Sequence, residues 1–250
     1  MQIFFPLFHP TDPTQRGSVE LAAVTRGNAS GTDGTDRAGW TPLPEGKFGI
    51  EHPIGGFHWL FPATRVKEYD LRWRPSCQNP KVADGDSANL ATLLAIAEMY
   101  VGIAWEGVDA IWATGHVDDK GFLKPVRLLA LPEKLELFSS WLSGRRGKRA
   151  IFIAPLSSKP DLLRAGNIVY SQFDHHNLDS IENPKLPPSF LEKPAILWVE
   201  NNSVGTLVRL LTENRLVARP LAPPRPLTPM KRLCRLALLV RWTPFFGPRA

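Results

Sequence analysis

The segment Lys81-Val82-Ala83-Asp84-Gly85-Asp86-Ser87-Ala88-Asn89-Leu90, with the apolar residues that follow it, decides how this chain is organised. Two carboxylates and a glycine stand directly before a serine, and the next residues, as far as Val101, are rich in Ala and Leu and carry a single charge. Gly85 permits a tight turn that few other residues could adopt. The apolar segment after it predicts a helix that begins near Ser87.

Two interpretations of Ser87 remain open on this spacing alone. Backbone N–H groups point outward at the start of a helix and the dipole is positive there. A serine hydroxyl at that point can therefore act as a nucleophile beside an anion-stabilising site. The alternative is an ordinary N-cap, in which the serine oxygen accepts a hydrogen bond from a backbone N–H group.

The composition is that of a globular protein whose basic charge is concentrated in one region. Hydrophobic residues make up 43% of the chain and charged residues 22%, which predicts a sizeable core. Residues 218–250 contain seven basic residues and no acidic ones, so subtracting their +7 from the net charge of +6 leaves about −1 for residues 1–217. We therefore do not expect the chain as a whole to bind nucleic acid. The alternative is that nucleic acid binds to the basic residues of 218–250 alone.

The cysteines and the hydropathy indicate the cellular compartment. Cys77 and Cys234 lie far apart, so neither a disulfide framework nor a cysteine-type zinc site is implied, as is typical of a reducing cytosol. The N-terminal residues lack a signal-peptide pattern, and no apolar run is long enough to span a membrane. We therefore expect a cytoplasmic protein without a membrane span.

The alternation of elements predicts an α/β or α+β fold. We expect a charged hairpin through residues 118–121, which joins Thr114-Gly115-His116 to a return strand over 122–126, and we assign no structure to residues 40–61. Residues 2–8 are expected to form an edge strand or a docking segment. The other predicted strands cover residues 18–24, 65–73, 108–113, 150–154 and 195–199. The predicted helices cover residues 88–101, 132–144 and 204–212, the last with Ser203 as its cap.

Four divisions of the chain follow from these patterns. Residues 1–64 supply N-terminal strands and loops that belong to the same domain as the core, which covers residues 65–165. Residues 166–217 form a C-terminal α/β extension. Residues 218–250 are a basic, Pro-rich linker or tail.

The order of motifs over about residues 65–163 resembles the proteolytic domain of Lon proteases. It comprises Asp84-Gly85-Asp86-Ser87-Ala88 with its apolar helix, Thr114-Gly115 at a strand end, the hairpin, Lys124-Pro125-Val126, and Glu133-Lys134-Leu135. The resemblance implies the Lon proteolytic-domain fold, a βαβ sandwich like ribosomal S5 domain 2. It also implies a hydrolase, namely a serine protease that cleaves peptide bonds with a Ser-Lys dyad through an acyl-enzyme, without a cofactor or a metal.

The resemblance assigns roles to individual residues. It makes Ser87 the nucleophile and Lys134 the base, with Thr114 supporting the lysine and Asp84 at the acidic position of the motif. The neighbours that support this site are Gly85, Asp86, Ala88 and His116. The partners implied are a protein or peptide substrate, further copies of the chain in a homo-oligomer, and a partner module or ATPase supplied in trans where substrates must be unfolded.

One departure from the family pattern favours an alternative function. The family has Pro-x-Gly-Gly-x-x-x-Lys, whereas here Pro125 is followed by Val126-Arg127-Leu128-Leu129 and the lysine lies further along. The path of this loop decides where Lys134 points. The alternative is a catalytically silent Lon-like domain that acts as a protein-interaction scaffold.

The chemistry of the dyad can be argued without the resemblance. A serine hydroxyl needs a nearby base to take its proton, and a lysine can serve only if its pKa falls toward 7. Burial and a positive helix end both lower the pKa of a lysine. Lys134 lies in the first turn of the helix that begins at Pro132, where an ammonium is disfavoured. The alternative is an exposed surface lysine beside Glu133.

Other candidate sites have weaker patterns. Asp174-His175-His176 could bind a metal, but adjacent histidines rarely converge on one ion, so we expect a polar surface loop. His116 either orients a substrate or is a solvated turn histidine. Cys77 could form a thiol dyad with a histidine, although no family signature accompanies it.

Overall fold

The structure, a computed structural model, describes residues 1–9, 12–25, 39–43, 51–64, 69–77, 86–125, 130–145, 147–159, 172–181, 194–213 and 215–216. These residues form a mixed α/β fold built on one eight-stranded sheet and a separate two-stranded hairpin. None of the described helices is long and apolar enough to cross a membrane.

The sheet combines a parallel half with an antiparallel half. Its strands are β1 (Gln2–Leu7), β2 (Gly17–Thr25), β3 (Thr41–Pro42), β4 (Tyr69–Pro75), β5 (Ala110–Ala113), β8 (Ala150–Pro155), β9 (Asp174–Asn177) and β10 (Ala195–Val199). Their order in the sheet is β3-β4-β2-β1-β5-β8-β10-β9, and β1, β5, β8, β10 and β9 run parallel to one another. β2 pairs antiparallel with β1 and β4, and β3 pairs antiparallel with β4.

The remaining elements are the hairpin and the helices. Strands β6 (His116–Val117) and β7 (Leu123–Lys124) pair antiparallel as the hairpin. The α-helices among the described residues are α1 (Glu51–Leu60), α2 (Asn89–Val101), α3 (Leu131–Ser143) and α4 (Val204–Leu211).

Apolar side chains cover both faces of the sheet and form two separate clusters. In β1, Ile3 and Phe5 join one cluster and Phe4 joins the other, because successive side chains of a strand point to opposite faces. The first cluster includes the buried side of α2, and the second includes Leu135 and Phe138 of α3. Helices α2 and α3 therefore pack on opposite faces of the sheet.

Most of the elements predicted from sequence are confirmed. The strands predicted around residues 18–24, 108–113, 150–154 and 195–199 are β2, β5, β8 and β10. The helices predicted at 88–101, 132–144 and 204–212 are α2, α3 and α4, and the hairpin through residues 118–121 is formed by β6 and β7. In β4, Leu71 and Trp73 are buried, as the alternating pattern predicts.

Two predictions for the N-terminal region were wrong or incomplete. β1 is not an edge strand, since it lies between β2 and β5 and is buried on both faces. Residues 51–60, whose sequence pattern predicts no element, form α1. Pro53, Gly55 and Gly56 obscure its helical pattern, and the burial of Phe57 and Leu60 in the first cluster supports the helix instead.

In the C-terminal half, one prediction is wrong and another is confirmed only in part. Asp174–Asn177 is not a loop, because it pairs with β10 as a strand at one end of the sheet order. Ser203 does occupy the N-cap position of α4 but makes no side-chain cap bond. Its hydroxyl donates to Asp179 Oδ1 at 3.2 Å, so it tethers α4 to the segment after β9.

Several sequence-based predictions concern residues outside the described ranges. These are the first part of the central motif, including Asp84 and Gly85, the departure at residues 126–129, and the tail over 218–250.

Candidate active site

Ser87 is held in a short turn at the start of α2. Residues Asp86–Ala88 form a single turn of 3-10 helix, and Asn89 begins α2 directly after it. The N-cap residue is Ala88, and no side-chain cap bond is found there among the described residues. The interpretation of Ser87 as an ordinary N-cap is therefore wrong. Its hydroxyl accepts a hydrogen bond from Lys134 instead.

Lys134 links the serine to a threonine that lies at the end of a central strand. Its Nζ donates to Ser87 Oγ and to Thr114 Oγ1, at 2.8 Å in both cases. Lys134 is only 3% exposed, so the alternative of a surface lysine is wrong. The structure thus brings together three of the side chains singled out in the sequence, although 47 positions separate the serine from the lysine.

The surroundings of Lys134 disfavour its charged form. Burial lowers the pKa of Lys134 to about 7, because an ammonium loses hydration that the interior does not replace. Within the described ranges its hydrogen-bond partners are two hydroxyls, and none of the ion pairs found there involves Lys134. A lysine in such surroundings has a substantial neutral fraction near pH 7, and a neutral amine can accept a proton.

Thr114 orients the amine. Its hydroxyl donates to the carbonyl oxygen of Ser87 at 3.3 Å and accepts from Lys134. Because the hydroxyl proton is directed to that carbonyl, a lone pair of Oγ1 faces the lysine. Thr114 is fully buried, and its backbone N–H donates to Ile153 of β8 at 3.0 Å. The threonine is therefore fixed by the sheet.

Backbone hydrogen bonds fasten the start of α2 to the end of β5. Gly115 N–H donates to the carbonyl of Ser87 at 2.8 Å, and Leu90 N–H donates to the carbonyl of Gly115 at 3.1 Å. Gly115 packs so closely that a Cβ there would lie 2.6 Å from Leu123 Cδ1 and 3.3 Å from Pro155 Cγ. The glycine thus allows the strand end, the hairpin and β8 to meet beside the serine.

The topology explains why residues from two helices meet at one point. Ser87 lies in the turn just before α2 on one face of the sheet, and Lys134 lies in the first turn of α3 on the other. Thr114 follows the carboxyl end of β5, which lies between those faces. Sites in parallel α/β sheets form outside the carboxyl ends of the strands, because the helices begin there.

A second set of polar side chains borders the serine. His116 Nδ1 lies 3.2 Å from Asp86 Oδ2, and the ring of His52 lies 5.7 Å from that of His116. His116 begins β6 and is not a solvated turn residue, since its side chain is only 18% exposed. Sequence reasoning missed His52, because it lies in α1 and nothing in the local pattern predicted that helix.

The other candidate sites lack the geometry they would need. Asp174, His175 and His176 lie along one strand, so successive side chains point to opposite faces. His175 Nδ1 accepts a hydrogen bond from Trp198 Nε1 at 3.2 Å, and no group of three metal-binding side chains occurs in the part of the chain that the structure describes. Burial raises the pKa of Cys77, which disfavours a nucleophilic thiolate.

Comparison with known proteins adds no assignment to this site. No protein-family model matches the chain, and a search of the curated proteins finds no relative of it. The functional conclusion therefore depends on the geometry around Ser87 and Lys134.

Proposed function

We propose that this chain is a serine peptidase of Lon-like type that hydrolyses peptide bonds with a Ser87–Lys134 dyad. One observation carries the proposal: the 2.8 Å contact between Lys134 Nζ and Ser87 Oγ, made by a lysine that is 3% exposed. A fold like the Lon proteolytic domain, a βαβ sandwich like ribosomal S5 domain 2, is part of the proposal and is compatible with the mixed sheet. A cytoplasmic location is also part of it.

The first half of the proposed reaction forms an acyl-enzyme. The neutral amine of Lys134 takes the proton from Ser87 Oγ as that oxygen attacks the carbonyl carbon of the scissile peptide bond. Thr114 supports this step because its oxygen accepts an N–H of the amine, which directs the nitrogen lone pair toward the serine. Collapse of the tetrahedral intermediate breaks the C–N bond, and the Lys134 ammonium gives its proton to the leaving amine.

The second half returns the enzyme to its starting state. A water molecule gives a proton to Lys134 and attacks the ester carbon. The ester bond breaks, and Ser87 Oγ recovers the proton from the lysine. The balance of the cycle is one water consumed and one peptide bond hydrolysed, with no cofactor required.

Backbone N–H groups at the start of α2 are the proposed oxyanion donors. They carry partial positive charge and lie next to the nucleophile. Leu90 N–H already donates to the carbonyl of Gly115. The oxyanion donors are therefore the backbone amides that lie closer to Ser87 in the chain.

The proposal includes the partners that the family resemblance implies. The substrate is a protein or peptide segment whose backbone can reach Ser87. Folded substrates require an unfolding partner, such as an ATPase supplied in trans, and further copies of the chain form a homo-oligomer.

The proposal is tested by casein or peptide cleavage together with labelling by a fluorophosphonate, a probe that reacts with activated serines. We expect cleavage and labelling of the wild-type chain, both abolished in Ser87→Ala. Lys134→Met keeps the length of an unbranched side chain but removes the base, and we expect a rate about 10²–10⁴-fold lower. Mass spectrometry should locate the label on Ser87.

Matched controls come from exposed residues of the same types. Ser143→Ala at the end of α3 and Lys124→Met in the hairpin should leave the rate unchanged, since neither side chain contacts the dyad. Cleavage that persists in Ser87→Ala, or an unchanged rate in Lys134→Met, contradicts the proposal. A folded wild-type chain that neither cleaves nor labels supports the alternative of a silent protein-interaction scaffold.

A further inference from the structure

An ionisable pair lies on the more exposed side of the nucleophile, apart from the buried dyad. Asp86 Oδ2 is 3.2 Å from His116 Nδ1, and the two side chains are 60% and 18% exposed, respectively. The ring of His52, in α1, lies tilted against that of His116, with 5.7 Å between the centroids. The roles proposed for the dyad and Thr114 do not involve this pair.

The pair joins the same two segments that the backbone hydrogen bonds join. Asp86 directly precedes Ser87 in one 3-10 turn, and His116 directly follows Gly115, whose N–H donates to Ser87. The turn is thus held to the end of β5 at two successive positions. One connection runs from backbone to backbone at Ser87, and the other runs from side chain to side chain at Asp86.

The exposure of the pair indicates whether it affects the stability of the fold or the rate of the reaction. Because the Asp86 carboxylate is 60% exposed, this contact contributes little to folding, since solvent competes for the carboxylate oxygens. The position of a nucleophile matters far more, because a displacement of about 1 Å can lower a rate about 100-fold. A contact that restrains the serine turn is therefore expected to affect the turnover rate more than the stability.

We propose that His116 is a positioning residue that acts through Asp86 to hold the Ser87 turn in its reactive orientation. The proposal rests on the proposed peptidase function and extends it to a residue outside the dyad. An imidazole with its proton on Nδ1 can donate to the carboxylate whether it is neutral or charged, so the role does not require a charged histidine. His52 supports the orientation of the imidazole through ring contact.

The test is a double-mutant cycle with kcat and KM measured separately for a peptide substrate. We expect His116→Ala and Asp86→Ala each to lower kcat about tenfold with KM changed less than about twofold. The double variant should be no slower than the slower single variant, because each single variant already removes the contact that the two residues share. His116→Asn retains a side-chain N–H donor and should recover part of the lost rate.

Lys124→Ala is the matched control. It removes the 3.6 Å ion pair between Lys124 and Asp118 in the same hairpin, and it should leave kcat unchanged. Thermal unfolding of every variant is recorded beside the kinetics. Should His116→Ala fail to fold, the ratio of kcat between His116→Asn and Asp86→Ala still tests the contact.

Fluorophosphonate labelling distinguishes the failure of this proposal from failure of the peptidase assignment. If the probe labels Ser87 in the wild type, unchanged kcat in the variants, strictly multiplicative losses or a change confined to KM would overturn the positioning role alone. If the folded wild-type chain is not labelled and does not cleave, both proposals are overturned.

Discussion

At the scale of single residues, the site depends on how Lys134 is buried. Most buried lysines need a carboxylate partner, and such a partner keeps the amine charged. The hydrogen-bond partners of Lys134 found within the described ranges are instead two hydroxyls, those of Ser87 and Thr114. Burial lowers the pKa of Lys134 to about 7. The same burial that disfavours the ammonium produces the base that a serine requires.

The pH dependence of the reaction follows from this pKa. Because only the neutral amine can take the serine proton, kcat/KM should rise tenfold per pH unit below about pH 7 and level off above it. The measurement is a kcat/KM profile from pH 5 to 9 with an uncharged peptide. A rate that is constant from pH 5 to 7 would contradict the assignment of Lys134 as the base.

The pH dependence of the free energy of unfolding tests the ionisation of Lys134 independently of the reaction rate. The lowered pKa means that the unfolded chain binds a proton on Lys134 between about pH 7 and 10.5 that the folded chain does not. The contribution of Lys134 to the free energy of unfolding is therefore most unfavourable below pH 7. It improves as pH rises through this window, by up to about 1.4 kcal/mol per pH unit. Lys134→Met should remove that part of the slope in denaturant titrations.

At the scale of elements, the placement of α1 depends on a glycine that contacts the hairpin. A Cβ at Gly56 would lie 2.7 Å from the backbone oxygen of Asp118, which cannot move without displacing the turn between β6 and β7. At Gly55 the nearest atoms would be 3.4 Å away, an ordinary contact. Two neighbouring glycines of one helix therefore have different steric roles.

This difference predicts opposite effects of the same substitution. Gly56→Ala should lower the free energy of unfolding by about 1–3 kcal/mol, because the helix and the hairpin must separate. Gly55→Ala should be neutral or stabilising by up to about 1 kcal/mol, since alanine favours the helix. Chemical denaturation of both variants measures the difference, and equal effects would contradict the packing of α1 on the hairpin.

At the scale of the whole molecule, each face of the sheet is covered by one apolar cluster, and the candidate site lies at the strand ends between the two clusters. Helix α3 is anchored by Phe138, whose ring lies 5.4–5.7 Å from those of Trp112, Phe152 and Phe173. Lys134 lies one turn before Phe138 on the same buried side of the helix. The second cluster thus sets the position of the base relative to the serine on the opposite face.

Truncation of that anchor should destabilise the whole fold. Phe138→Ala removes a fully buried ring and should lower the free energy of unfolding by about 3–5 kcal/mol. Glu136→Ala, at an exposed position of the same helix, is the control and should change it by less than about 0.5 kcal/mol. A small effect of Phe138→Ala in thermal or denaturant unfolding would contradict the role of this cluster.

The local sequence determined the elements whose signals lie within a few residues of one another. The uniformly apolar β5, the proline at the start of α3 and the apolar α2 were all predictable, because periodicity and start signals act over short stretches. The motif around Ser87 and the lysine after Pro132 also identified the candidate side chains. Their catalytic roles remain predictions.

Only the tertiary structure decided the rest. The burial of Lys134 between two hydroxyls, the central position of β1, the existence of α1, and the approach of His116 to Asp86 all depend on contacts between distant segments. Local propensity is a weak signal wherever packing supplies most of the free energy, as it does for α1. The pKa of a lysine is likewise set by the neighbours that folding brings to it, which no spacing along the chain specifies.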